Sequence, residues 1–129
     1  MSIRKYATFL GCVLLGACGG EVDNAAFVSD LSSNRPAEVT VQGRVVALLA
    51  DSSGPDGLHQ RFRLDVNGDL VEVDHNLGLA QRVPVAVATT VIVHGQFEPD
   101  PGHPVIHYTH HATGRHPGGW IEVNGQTYQ

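Results

Sequence analysis

"HQRFRLDVNGDLVEVDHN", residues 59–76, sets an Asn67-Gly68 step between two runs whose apolar residues alternate. Alternation of period two puts every second side chain on one face of a strand. Asn-Gly supplies the two positive-φ residues of a type I′ turn, whose twist matches the strands it joins. The turn therefore predicts a hairpin in which Val66 opposes Asp69, Leu64 opposes Val71 and Phe62 opposes Val73. That apolar face is the candidate core. On the other face Arg63 opposes Glu72 and Arg61 opposes Asp74, and opposite-charge pairs of this kind contribute about 0.2–1 kcal/mol each. The same register sets Gln60 against His75 and His59 against Asn76.

The flanking segments continue the strand pattern. "VTVQGRVVALLAD" (39–51) reads as a long first strand with a bend at Gly43, and "SSGPDG" (52–57) as a turn. "NLGLAQRVP" (76–84) breaks the alternation and suits a short helix or loop. "TTVIVHGQFEP" (89–99) and "VIHYTHH" (105–111) are the fourth and fifth strands, separated by the turn residues "DPGHP". "GGWIEVNGQTYQ" (118–129) ends in a second Asn-Gly hairpin. Three strands, a short helical connection and two more strands are the order of a small five-stranded OB-like Greek-key barrel. The expected fold is thus mainly β: an OB-like barrel domain over residues 38–129 with a C-terminal hairpin. An open meander or small sandwich is the alternative.

The chain opens with "MSIRKYATFLGCVLLGAC". Arg4 and Lys5 precede an apolar stretch, Tyr6 to Leu15, that is too short for a stable membrane span. Leu15-Gly16-Ala17-Cys18 looks like a lipobox, so residues 1–18 read as a lipoprotein signal peptide with lipidation at Cys18. The expectation is an exported protein, lipid-anchored in the cell envelope, at the outer membrane if the host has one. Residues 19–37 read as a tether carrying one short helix, with Phe27 and Leu31 four apart and Asp23 or Asn24 as cap. Cys12 leaves with the signal and Cys18 is consumed by lipid, so no disulfide staples the domain. About 110 residues suffice for one small core without it.

Charge excludes one class of partner. Eight Lys and Arg stand against thirteen acids. Arg4 and Lys5 depart with the signal, which leaves six cations and a net charge of about −7. Sequence-independent nucleic-acid binding needs a basic groove with stacking aromatics. Neither is present, so no nucleic-acid partner is expected.

Five stretches carry a resemblance: "HQRF" (59–62), "DHNLGLAQR" (74–82), "VIHYTHH" (105–111), "GRHPGGW" (114–120) and "GQTYQ" (125–129). From His59 to Gln129 the chain resembles a small bacterial family of exported proteins known as a domain of unknown function, family 3465. The resemblance implies a small exported protein with a histidine-rich segment and no assigned activity. Tyr108 stands where that pattern has Trp, and Ala112-Thr113 where it has Asp-Pro, so a carboxylate just after His111 is missing.

The histidines carry the candidate chemistry. On a continuous strand His107 and His111 lie about 13 Å apart while His110 faces the other way. One ion cannot then take all of them, since zinc needs nitrogens at about 2.0–2.1 Å. In an OB-like barrel, however, the third and fifth strands end at the mouth where the second begins. His75, His110 and a folded-back His116 converge there as candidate metal ligands for zinc or copper, with His59 and His111 as further candidates and His107 pointing elsewhere. Gln60, Asn76, Arg115 and Trp120 join His59 as candidate ligand-binding residues. The expected function is a binding module for a metal ion, small ligand or protein partner. The alternative is a metal-assisted or two-histidine hydrolase of phosphoesters or envelope polymers, with His75, His107 or His110 as acid and base. No nucleophile motif or glycine-rich phosphate loop offers a different mechanism.

Overall fold

The structure, a computed structural model, describes residues 20–129, so the signal segment and Cys18 lie outside the described residues. A helix, α1 (Asn24–Ser32), leads into seven strands: β1 (Ala37–Gly54), β2 (Gly57–Val66), β3 (Asp69–Asn76), β4 (Thr90–Glu98), β5 (Val105–His107), β6 (Trp120–Val123) and β7 (Gln126–Tyr128).

The central hairpin forms in the register its turn dictates. Asn67 and Gly68 take φ of 53° and 96°, and Phe62, Leu64 and Val66 pair with Val73, Val71 and Asp69. Phe62, Leu64 and Val73 are fully buried. The charges on the outer face settle differently from the directly opposed pairs. Arg61 lies opposite Asp74 in the ladder, yet its guanidinium reaches diagonally to Glu72 at 3.3 Å. Diagonal neighbours remain within reach of long side chains, and the Ala50 carbonyl, accepting from Arg61 Nε at 3.0 Å, aims the guanidinium that way.

β1 is long enough to serve two partners. Its first half pairs with β4, from Ala37↔Phe97 to Arg44↔Thr90, and its second half pairs with β2, from Arg44↔Asp65 to Gly54↔Gly57. The switch falls at Arg44, which pairs with both, next to Gly43, where a Cβ would lie 2.6 Å from the Asp65 carbonyl oxygen. β3 pairs in parallel with β5 and β5 antiparallel with β4. The pairings β1–β2–β3–β5–β4–β1 thus close a ring of strands. Inside it Val41, Val45, Phe62, Val93, Phe97 and Ile106 make one apolar core.

Three expectations need correction. The sheet has seven strands rather than five, because the terminal hairpin does not stand apart: β6 pairs with β4 through Ile92↔Glu122 and extends it. The connection between β3 and β4 is not helical. After one turn closed by Ala80 N–H on the Asn76 carbonyl, the Gln60 amide grips Val83 at both its N–H and its carbonyl, each at 2.8 Å. Pro84 follows, and a chain so held stays extended. The fifth strand stops at His107, because Tyr108 takes φ of 58° and no strand continues through a left-handed residue.

The segment expected to be a tether does more than space the domain. Asp23 caps α1 by accepting from Ala26 N–H at 3.0 Å, as a helix start requires. Phe27 is fully buried and meets Phe97 edge to face at 5.1 Å.

Candidate histidine pocket

Where β2 begins and β3 and β5 end, the structure encloses a pocket of about 580 Å3. His59, His107, Tyr108, His110, Arg115 and His116 line it, with Asp56, Asn76 and Thr113. The turn at Tyr108 makes it. Tyr108 is stacked between His107 and His116, each ring 3.8 Å away. His116 in turn lies 4.8 Å from His110 at an interplanar angle of 64°. The loop that brings His116 back is tied by Gly119 N–H donating to the His110 carbonyl at 2.7 Å.

His75 stands beneath this pocket rather than in its lining. It is fully buried, and both ring nitrogens are engaged: Nε2 lies 2.9 Å from the Gln81 carbonyl and Nδ1 lies 2.7 Å from Thr109 Oγ1. A carbonyl can only accept, so Nε2 carries the proton and Nδ1 accepts from the threonine hydroxyl. Burial lowers the His75 pKa from its ordinary value, which favours the neutral ring. No lone pair is left for a metal and no nitrogen is free to shuttle protons.

Two more of the expected ligand contacts are structural. The Gln60 amide is taken up by Val83. Asn76 lines the pocket, but its Oδ1 accepts from Gly78 N–H at 2.8 Å and its Nδ2 donates to the Asp56 carbonyl at 3.0 Å. Trp120 stacks on His94 at 5.7 Å and is not among the lining residues, nor is the exposed His111. His107, expected to face away, joins the lining through its stack on Tyr108. Among the described residues no three His, Cys, Asp or Glu side chains are disposed to hold one ion. The trio His75, His110 and His116 is therefore not assembled as a ligand set.

Sequence reasoning misses Asp56, Tyr108 and Thr113. Asp56 lies in a stretch that reads only as turn chemistry. Tyr108 falls in an apparent strand, and no local signal marks a tyrosine for positive φ.

The remaining imidazoles are set by backbone. His110 is 2% exposed, and its Nδ1–H donates to the His111 carbonyl at 2.8 Å. His59 does the same toward the Gly57 carbonyl at 3.0 Å, and His116 toward Pro117, more loosely, at 3.4 Å. Each is left with Nε2 as its unspent acceptor. Burial lowers the pKa of both His107 and His110 from the ordinary histidine value, which favours their neutral rings.

Beside the pocket, the carboxyls of Glu72 and Asp74, two residues apart on β3, share the outer face. Burial and the Glu72 charge push the Asp74 carboxyl up to about 8, while Arg61 and His103 help hold Glu72 ionised. A carboxyl that keeps its proton more tightly when folded adds stability below its unfolded value of about 3.9, and that contribution is lost as pH climbs toward 8. Asp74→Asn imitates the protonated form. Discounting for partial exposure, the variant should gain about 1 kcal/mol on the wild type between pH 6 and pH 9. Denaturant unfolding at the two pH values checks this; parallel pH dependences would disprove the raised Asp74 carboxyl.

No curated protein and no solved structure matches this chain. A family model does match, over residues 19–129, a span that contains every pocket residue and the Gly119 tie. The chain belongs to the family described as a protein of unknown function, DUF3465.

Proposed function

We propose that the protein is an exported binding module, lipid-anchored in the cell envelope, that takes a small ligand in the histidine pocket of an OB-like Greek-key barrel. The barrel reading is supported by the closed circuit of pairings with its parallel β3–β5 step, which is the order of an OB-fold. The anchor is supported by Leu15-Gly16-Ala17-Cys18 behind a short apolar run. Among the described residues no helix is long and apolar enough to cross a membrane.

One observation carries the binding role. Four imidazoles, a tyrosine and an arginine line a single pocket at one end of the ring, and the imidazoles of His59 and His110 face it with Nδ1 committed to backbone and Nε2 unspent. Concave sites with a few converging polar groups are where small ligands bind. A purely structural cap would spend those acceptors, as His75 does.

Protein-observed NMR with a fragment library tests the reading. Shifts should cluster at His59, Tyr108, His110 and Arg115. Shifts scattered over the surface, or none at all, would remove it. Palmitate labelling of the wild type and of Cys18→Ser tests the anchor in the same preparation, and equal labelling would remove that part.

A further inference from the structure

Within that pocket reading, on which it rests, we infer that His110 and His116 form the protein half of an open site for a first-row divalent transition metal ion, zinc or copper(II). Two imidazoles on one ion each place a ring centre about 3.2 Å from it, from a metal–nitrogen length of about 2.0–2.1 Å plus the distance from nitrogen to ring centre. At near-tetrahedral or square angles the two ring centres are then about 4.5–5.2 Å apart. His110 and His116 sit at 4.8 Å.

The second observation is the state of His110. It is 2% exposed and lines the pocket. Its Nδ1–H is spent on a backbone carbonyl, while no group among the described residues hydrogen-bonds its Nε2. Nε2 is thus the ring nitrogen left to accept from, or ligate, whatever enters the pocket. Metal-ligating histidines characteristically donate their other N–H to a carbonyl, which sets ring orientation and raises ligand basicity. His116 repeats the arrangement loosely through Pro117, and the Tyr108 stack holds its ring plane.

Because no three ligand side chains of the described residues converge, the other coordination positions fall to water or a small anion. His59 lines the same pocket as a further imidazole. Such a site takes an ion and leaves it exchangeable. Imidazole donors favour zinc and copper(II) over calcium or magnesium, which prefer oxygen.

The test is calorimetric titration of the full chain, stripped with chelator, with zinc chloride, copper(II) chloride and magnesium chloride at pH 7.5. One equivalent of zinc or copper should bind and magnesium should not. His116→Asn should weaken binding at least tenfold, and His94→Asn, outside the pocket, should leave it unchanged. His110→Asn should weaken it similarly, but this ring is buried and its loss could unfold the chain, so the partly exposed His116 is the decisive position. Electron paramagnetic resonance of the copper form should show nitrogen hyperfine structure from two imidazoles, reduced to one in His116→Asn. No binding by the wild type, or binding indifferent to His116→Asn, overturns the site. If metals fail while fragment shifts still map to the pocket, the metal falls and the binding module stands. If both fail, both fall together.

Discussion

Gly119→Ala should be among the most damaging single substitutions in the domain. A Cβ at this position would run into the Tyr108 carbonyl oxygen and lie 2.5 Å from that of His94 and 3.0 Å from Thr109 Cα. All three are backbone atoms, so no rotamer change relieves the clash. Gly119 N–H also donates to the His110 carbonyl, and the clash would pull that bond open. Overpacking against rigid surroundings costs about 3 kcal/mol or more, a large share of the roughly 5–15 kcal/mol typical of a small domain. The melting temperature should fall by on the order of 10 °C or more. Gly114→Ala, where nothing lies within 4 Å, should change it little. Equal effects of the two substitutions in thermal unfolding would show that the 119 loop does not sit against β4 as described.

His75→Ala should separate a structural histidine from a ligand. Truncation leaves a void at a fully buried position and deprives the Thr109 hydroxyl and the Gln81 carbonyl of their partner. Cavity and orphaned polar groups together should cost about 3 kcal/mol. The pH dependence has a definite sign. A histidine kept neutral by burial contributes stability above its unfolded pKa of about 6.5, and that contribution is lost as pH falls below it. The wild type should therefore weaken between pH 7.5 and pH 5, and His75→Ala should weaken less over the same interval. Denaturant unfolding at both pH values reads this directly. If the variant instead keeps its stability and loses zinc or copper, His75 is a ligand and its two hydrogen bonds are misassigned.

The difference between these two residues shows where local information in the chain stops. The 59–76 hairpin is legible because its information is local: an Asn-Gly turn has few backbone solutions, and the alternation of Phe62, Leu64, Val71 and Val73 permits one register. The second Asn-Gly step, with Val123 paired to Gln126, is legible for the same reason. Residues 105–111 are not. "VIHYTHH" has good strand composition, and β3 still offers Asp74 to Asn76 beyond its last pairing, Val73 with Ile106, yet Tyr108 takes a left-handed φ of 58° that ends the strand. The chain turns at Tyr108, and every side chain after it leaves the phase that alternation assigns.

Histidine identity carries the same lesson. Eight histidines and their clustering near the C-terminus are visible in the sequence, and so is the convergence of the 59–60, 75–76 and 107–116 segments once the hairpin and strand order are known. What a ring nitrogen does is not visible. His75 and His110 both close strand-like segments and both are buried, but Thr109 and Gln81 come to His75 from segments 34 and 6 residues away. His110 is left with one nitrogen unspent. Composition and periodicity thus determined a mainly β chain, its central register and the end of the sheet where imidazoles gather, because those depend on neighbours along the chain. Only the tertiary structure decided which imidazoles are consumed as core hydrogen bonds and which face the pocket, because hydrogen-bond partners are supplied by segments distant in sequence.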